Sequence, residues 1–257
     1  QWYSARVLNA LISLDLNGDL HEHELMEVFD FFMKESPRFA AEAHLALALI
    51  KWREGDSQGT AEQLRLGFDV ARDYDHHHFL LLSREHSVQA CILAKALHIS
   101  GAADYAMHLM TSKFRSWVWP EVGKQLQTLG LKENKTIKEL EMTVYRSTLP
   151  SIRIEMLGGF RVFRDQVLID EEEWHGNQPK NLLKAILTHG KKGVNKEILF
   201  EELWPQSAPE AAEQTFKAAL HRLRVSLEPG KDKMFGSSYV HLKENRVYLD
   251  SDLCKVD

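Results

Sequence analysis

Between Gln214 and Arg224 the side chains able to hydrogen-bond phosphate oxygens or base edges gather on one side of a helical pattern: Gln214, Lys217, His221, Arg222 and Arg224. Ammonium and guanidinium groups neutralise phosphates, and the arginine fork matches the two acceptors of guanine. The other side of the same stretch reads Ala212, Phe216, Ala219, Leu220, Leu223 and Leu227, at i, i+4, i+7, i+8, i+11 and i+15. An apolar stripe of this kind holds a helix to a core while its donors face outward. The chemistry on offer is the reading of a duplex groove by a helix.

Such a helix must be positioned, and the chain on either side supplies the means. Ile198, Leu199 and Leu203 recur at helical spacing before Trp204-Pro205 stops them. Gln206–Glu210 follows, with Ser207 and Pro209 suited to a turn and to the first turn of the next helix. Two helices joined in this way read as a helix-turn-helix. A third helix precedes them over residues 178–189, with Leu182, Leu183, Ile186 and Leu187 as its core face.

Ahead of the helices the period changes to two. Ile152, Ile154 and Met156 alternate with Ser151, Arg153 and Glu155, Gly158-Gly159 turns, and Phe160–Phe163 and Val167–Ile169 give two more strands. A small antiparallel sheet is expected there. After the helices, Tyr239–Leu242 and Arg246–Leu249 read as a hairpin over Lys243-Glu244-Asn245. Lys243, Asn245 and Arg246 at its tip make it a wing able to reach phosphate or the minor groove.

The order sheet, three helices, hairpin resembles the winged-helix DNA-binding domain of the OmpR/PhoB type, and more closely the version in Streptomyces antibiotic regulatory proteins. The resemblance is carried by IRIEMLGGFRVF at 152–163, Trp174, Pro179-Lys180 with Leu182-Leu183, and Val194. It continues through Leu203-Trp204-Pro205, Pro209-Glu210-Ala211-Ala212, Ala219–Arg224, Leu227-Glu228-Pro229 and Leu249-Asp250. It implies a third helix in the major groove with Arg222 reading a base, Thr215 and Arg224 holding phosphates, and Ala218 able to touch a thymine methyl. His221 stands where a base is usual, and Lys217 adds a phosphate contact by its place on the same face. The loop holding Gln206, Ser207 and Glu210 would touch RNA polymerase, with Trp204 itself in the core.

Residues 1–118 read as helices throughout, with a weak repeat in which Gly18-Asp19 recurs as Gly55-Asp56, Leu8 as Leu45, Ile12 as Leu49, Phe29 as Leu66 and Met33 as Val70. Each unit is an apolar helix, a Gly turn, an Asp cap and a second apolar helix. A third hairpin, from about His78 to Trp117, turns at Ser100-Gly101. The stretch AAEAHLALALIKWREGDSQGTAEQLRLGFDVA at 40–71 resembles tetratricopeptide-type repeats, particularly those of maltose-regulon-activator-like regulators. The expected architecture is α+β overall: an all-α helical-repeat solenoid over 1–118, a helical connector over 119–150, and a winged helix-turn-helix with an N-terminal antiparallel sheet over 151–257.

Composition bounds the function. The formal net charge is −5, yet between Gln214 and Arg246 seven lysines and arginines, Lys231 and Lys233 among them, stand against three carboxylates. A basic face on an acidic chain is the electrostatic footprint expected of contact with phosphate. Cys91 and Cys254 have no partner spacing, and no apolar run is long enough for a membrane span, so no membrane partner is expected and the chain reads as cytoplasmic. Asp15–Asp19 begins like a calcium loop but has Leu20 for the glycine and Met26 for the closing glutamate. His76-His77-His78 and the pair His21/His23 diverge on a helix, so no metal is expected. No catalytic constellation, cofactor loop or P-loop is present, so neither an enzyme nor a cofactor is expected.

The opening Gln1-Trp2-Tyr3 reads as the inside of a helix, as in a fragment of a longer regulator with an ATP-binding switch domain or effector upstream. The expected function is a sequence-specific, DNA-binding bacterial transcriptional activator. Its partners would be double-stranded DNA and RNA polymerase, and it could oligomerise on DNA. The alternative is a protein-interaction module whose winged helix binds a protein instead.

Overall fold

The computed structural model describes residues 31–32, 34–230 and 235–257. The first member of the repeat, the Asp15–Asp19 loop, His21, His23, Met33, Lys231 and Lys233 lie outside them. The fold mixes helices with two small sheets, and its contacts divide it into two units that meet between Thr148 and Leu149.

In the first unit, α1 (Pro37–Arg53) is buried almost all round, from Ala40 to Ile50. A helix apolar on every side belongs at the centre of its neighbours. Gly55, at φ 83°, turns the chain, and Asp56 caps α2 (Ser57–Asp73), its Oδ1 accepting from Gly59 N at 2.8 Å. The second expected hairpin therefore has its glycine turn and its aspartate cap. Gly67 lets α2 lie close on α1, since a Cβ there would sit 3.1 Å from the Ala41 carbonyl.

The third hairpin starts later than its sequence pattern predicts. Residues 76–83 are not helical, and α3 begins at Arg84 (Arg84–Ala96), capped by Ser83 Oγ. The buried Glu42 carboxylate accepts from Leu81 N at 2.6 Å, Leu82 N at 3.1 Å and His76 Nε2 at 2.9 Å. These bonds replace those a helix would have supplied, and His76 is spent on Glu42. Gly101, at φ 76°, then admits α4 (Ala102–His108), which continues into a π-helical turn over Leu109–Lys113.

The segment expected as a helical connector forms α5 (Val118–Thr128) and α6 (Lys135–Thr148). Val122, Leu126, Ile137, Leu140 and Val144 join the same buried cluster as α1. Trp117 and Trp119 are half-buried against that cluster, Trp117 under the Arg84 guanidinium at 5.1 Å and Trp119 beside Tyr145.

The second unit opens with β1 (Ile152–Glu155), β2 (Arg161–Arg164) and β3 (Val167–Leu168), antiparallel as expected. Ile152, Ile154 and Val162 point to one buried face. A fourth strand corrects the purely antiparallel expectation: β7 (Cys254–Val256) lies parallel to β1, pairing Ile152 with Cys254 and Ile154 with Val256.

Next come α7 (Asn177–Thr188), β4 (Val194–Asn195), α8 (Lys196–Leu203), α9 (Pro209–Leu227), and the hairpin β5 (Val240–Lys243) and β6 (Arg246–Leu249). β4 adds to the hairpin through Val194 and Val247, giving a second sheet in the order β4-β6-β5. Trp174, Leu182, Leu183, Ile186, Leu199, Phe216, Leu223 and Val247 are buried within this unit.

Two core expectations shift. Ile198 is 43% exposed and Trp204 is half-buried, because the short α8 turns Leu199 inward instead. The half-buried Phe200 supplies the aromatic contact, its ring centroid 5.4 Å from that of Phe216 and 6.4 Å from that of Trp204.

Candidate nucleic-acid interface

The apolar stripe of α9 is buried along its length: Ala212, Phe216, Ala219, Leu220, Leu223 and Leu227 are each less than a twentieth exposed. That burial fixes the rotation of the helix and decides what faces outward. Gln214, Lys217, Ala218, His221 and Arg222 are all exposed. Pro209 starts the helix at a position where its missing N–H costs nothing. Ser226 Oγ, near the far end, donates to Glu173 O at 2.7 Å and ties α9 to the segment before α7.

The remaining candidates on α9 are partly committed. Thr215 is half-buried and its hydroxyl donates to Ala211 O at 2.9 Å, so a phosphate would find its lone pairs and not its proton. Arg224 is also half-buried, its Nε donating to Val240 O at 3.1 Å. Burial pushes its guanidinium below the usual range, and Glu228 opposes that shift. Arg224, expected to hold a phosphate, thus also braces β5 against α9 through its Nε. Glu228 is itself buried and accepts from Ser238 N and Oγ at 3.0 and 3.1 Å, holding the chain that leads into the hairpin.

At the hairpin tip Glu244 and Asn245 both have positive φ, 50° and 64°, which closes a two-residue turn with the twist strands require. Lys243 and Arg246 flank it and both are exposed. Arg246 Nη1 donates to Lys192 O and Gly193 O at 3.3 and 3.1 Å. Asn245 Nδ2 reaches Glu197 Oε1 at 3.4 Å, and its carbonyl accepts from Lys196 N at 2.8 Å. Arg246 stitches the hairpin to the chain ahead of α8, and Asn245 stitches it to the first turn of α8 itself. The expected polymerase-contact residues Gln206, Ser207 and Glu210 are exposed, and Ser207 N closes their turn on Trp204 O at 3.0 Å.

Sequence reasoning passed over two residues on this surface. Glu213 Oε1 lies 3.1 Å from Lys217 Nζ and 3.4 Å from Lys196 Nζ. The hydrogen bond from Lys217, then the charge of Lys196, hold the Glu213 carboxyl below the usual range. The i,i+4 pair was legible from spacing; the bond to Lys196 was not, because it joins two helices.

Among the described residues, no group of three histidine, cysteine or carboxylate side chains is placed to hold a metal ion, and no helix is long and apolar enough to cross a membrane. Burial raises both thiols, Cys254 to about 12 and Cys91 further. No family model, curated protein or solved structure matches the chain.

Proposed function

We propose that the second unit is a winged helix-turn-helix that binds duplex DNA, with α9 as recognition helix and the β5–β6 hairpin as wing. The first unit would be a solenoid of tetratricopeptide-like repeats coupling a ligand or protein signal to it, within a larger bacterial transcriptional activator of the OmpR/PhoB-like class. One observation carries the reading: α9 buries its whole apolar stripe while Gln214, Lys217, Ala218, His221 and Arg222 stand exposed together. That surface combines phosphate ligands, a guanine-reading fork and a methyl contact for thymine in a single turn-by-turn array.

The test is a titration of the full chain with duplex DNA at several salt concentrations. Phosphate contacts release counterions, so log affinity is expected to fall linearly with log salt. Affinity that is absent or indifferent to salt would refute the reading. The protein-interaction alternative draws on Arg224, Asn245 and Arg246, three expected contacts whose side chains bond within the fold. It predicts that same salt-indifferent outcome.

A further inference from the structure

We infer that Lys196 and Lys217 form a two-lysine seat for a DNA phosphate, occupied from within by Glu213, so that the chain restrains its own grip on duplex. The inference rests on the reading of α9 as the groove-facing helix.

The geometry is specific. Lys196 comes from the start of α8 and Lys217 from α9, yet both ammonium groups converge on the same oxygen, Glu213 Oε1, at 3.4 and 3.1 Å. Two cations on different helices repel one another, and an anion between them is what makes the arrangement stable. A non-bridging phosphate oxygen is the same kind of acceptor as a carboxylate oxygen: anionic, compact and able to take two N–H donors. The two lysines differ in exposure. The Lys196 side chain is 18% exposed, held along the Phe200 ring, while that of Lys217 is 70% exposed and free to follow a new partner.

The Glu213 side chain is 40% exposed, and it directly precedes Gln214 on the outward face. The Glu213–Lys217 pair is exposed, and exposed ion pairs are weak and exchange readily with competing anions. A phosphate approaching α9 therefore meets a carboxylate that both repels it and fills the place it would take. Binding requires Glu213 to yield, with the lysines passing from one anion to the other. No atoms or bonds are altered in the exchange; only the acceptor changes.

The test compares the full chain with Glu213→Gln, which keeps the side chain's shape and removes its charge. A short mixed-sequence duplex is titrated by fluorescence anisotropy across a salt series. Glu213→Gln is expected to bind several-fold tighter at low salt, with a gain that shrinks as salt screens the charge it removes. Lys196→Ala added to Glu213→Gln should abolish the gain. Glu201→Gln makes the same charge change at an exposed carboxylate elsewhere on α8 and should alter affinity by less than about twofold. If the unaltered chain binds and Glu213→Gln merely equals it, or Glu201→Gln matches the gain, the seat is refuted and the groove-facing reading stands. If neither the unaltered chain nor Glu213→Gln binds duplex at low salt, the groove-facing reading fails and the seat with it.

Discussion

Arg222 and Arg224 are two positions apart on α9 and meet different fates, and the reason is the angle between them on the helix. Arg222 projects from the exposed side; Arg224 leans over Val240 and donates to its carbonyl. Arg222→Ala is expected to cost roughly 1–3 kcal/mol of specific binding and to relax discrimination at one base pair, read by competition among duplexes that vary one position at a time. Lys217→Ala should weaken all duplexes alike and flatten the salt slope by about one. Arg224→Ala should instead lower the melting temperature of the second unit. Charge and period in the sequence place both arginines on a polar face, and only the packing of β5 separates them.

His44 makes the stability of the first unit depend on pH. Burial pushes its imidazole below the ordinary range, with the Gln63 hydrogen bond opposing. The unfolded chain then takes up the proton first as pH falls. Stability is complete above the ordinary histidine value of about 6.5 and declines as pH drops through the lower folded value. Urea unfolding at neutral and mildly acidic pH should show that decline, and His44→Gln should reduce it.

Among the elements, those with strong local signals were the readable ones. The stripe of α9, the Gly55-Asp56 turn and cap, and the alternation over Ile152–Glu155 each record their structure within a few neighbouring residues. β4 escaped notice because it is two residues long and its partner Val247 is far along the chain. The run 76–83 escaped because a single buried carboxylate, Glu42, holds it out of a helix. β4 depends on Gly193, whose φ is +68° and where a Cβ would lie 2.3 Å from the Val247 carbonyl. Gly193→Ala is therefore expected to cost roughly 1–3 kcal/mol, seen as a lower urea midpoint for the second unit. The hairpin would loosen first, since Arg246 donates to Gly193 O.

For the molecule as a whole, the change of period at Pro150 was legible, and the contact boundary falls beside it between Thr148 and Leu149. What the sequence did not convey is that residues 119–148 bury their apolar side chains in the helical core of the first unit. Their hydrophobic spacing is that of any amphipathic helix, and spacing does not name the surface it will meet. Each unit has its own core, so a chain starting at Leu149 is expected to unfold in one cooperative transition by itself, followed by circular dichroism in urea.

β7 has a consequence for synthesis. Ile152 N donates to Leu253 O, and Met156 N donates to the Asp257 carboxylate 101 residues away. The opening strand of the unit waits for residues about a hundred positions later in the chain before its sheet is whole. Until then β1 presents an unsatisfied edge, with the exposed Met156 and Leu157 beside it. Contacts of such long sequence separation form slowly, so the nascent chain passes through a period in which that edge can capture a strand from another polypeptide.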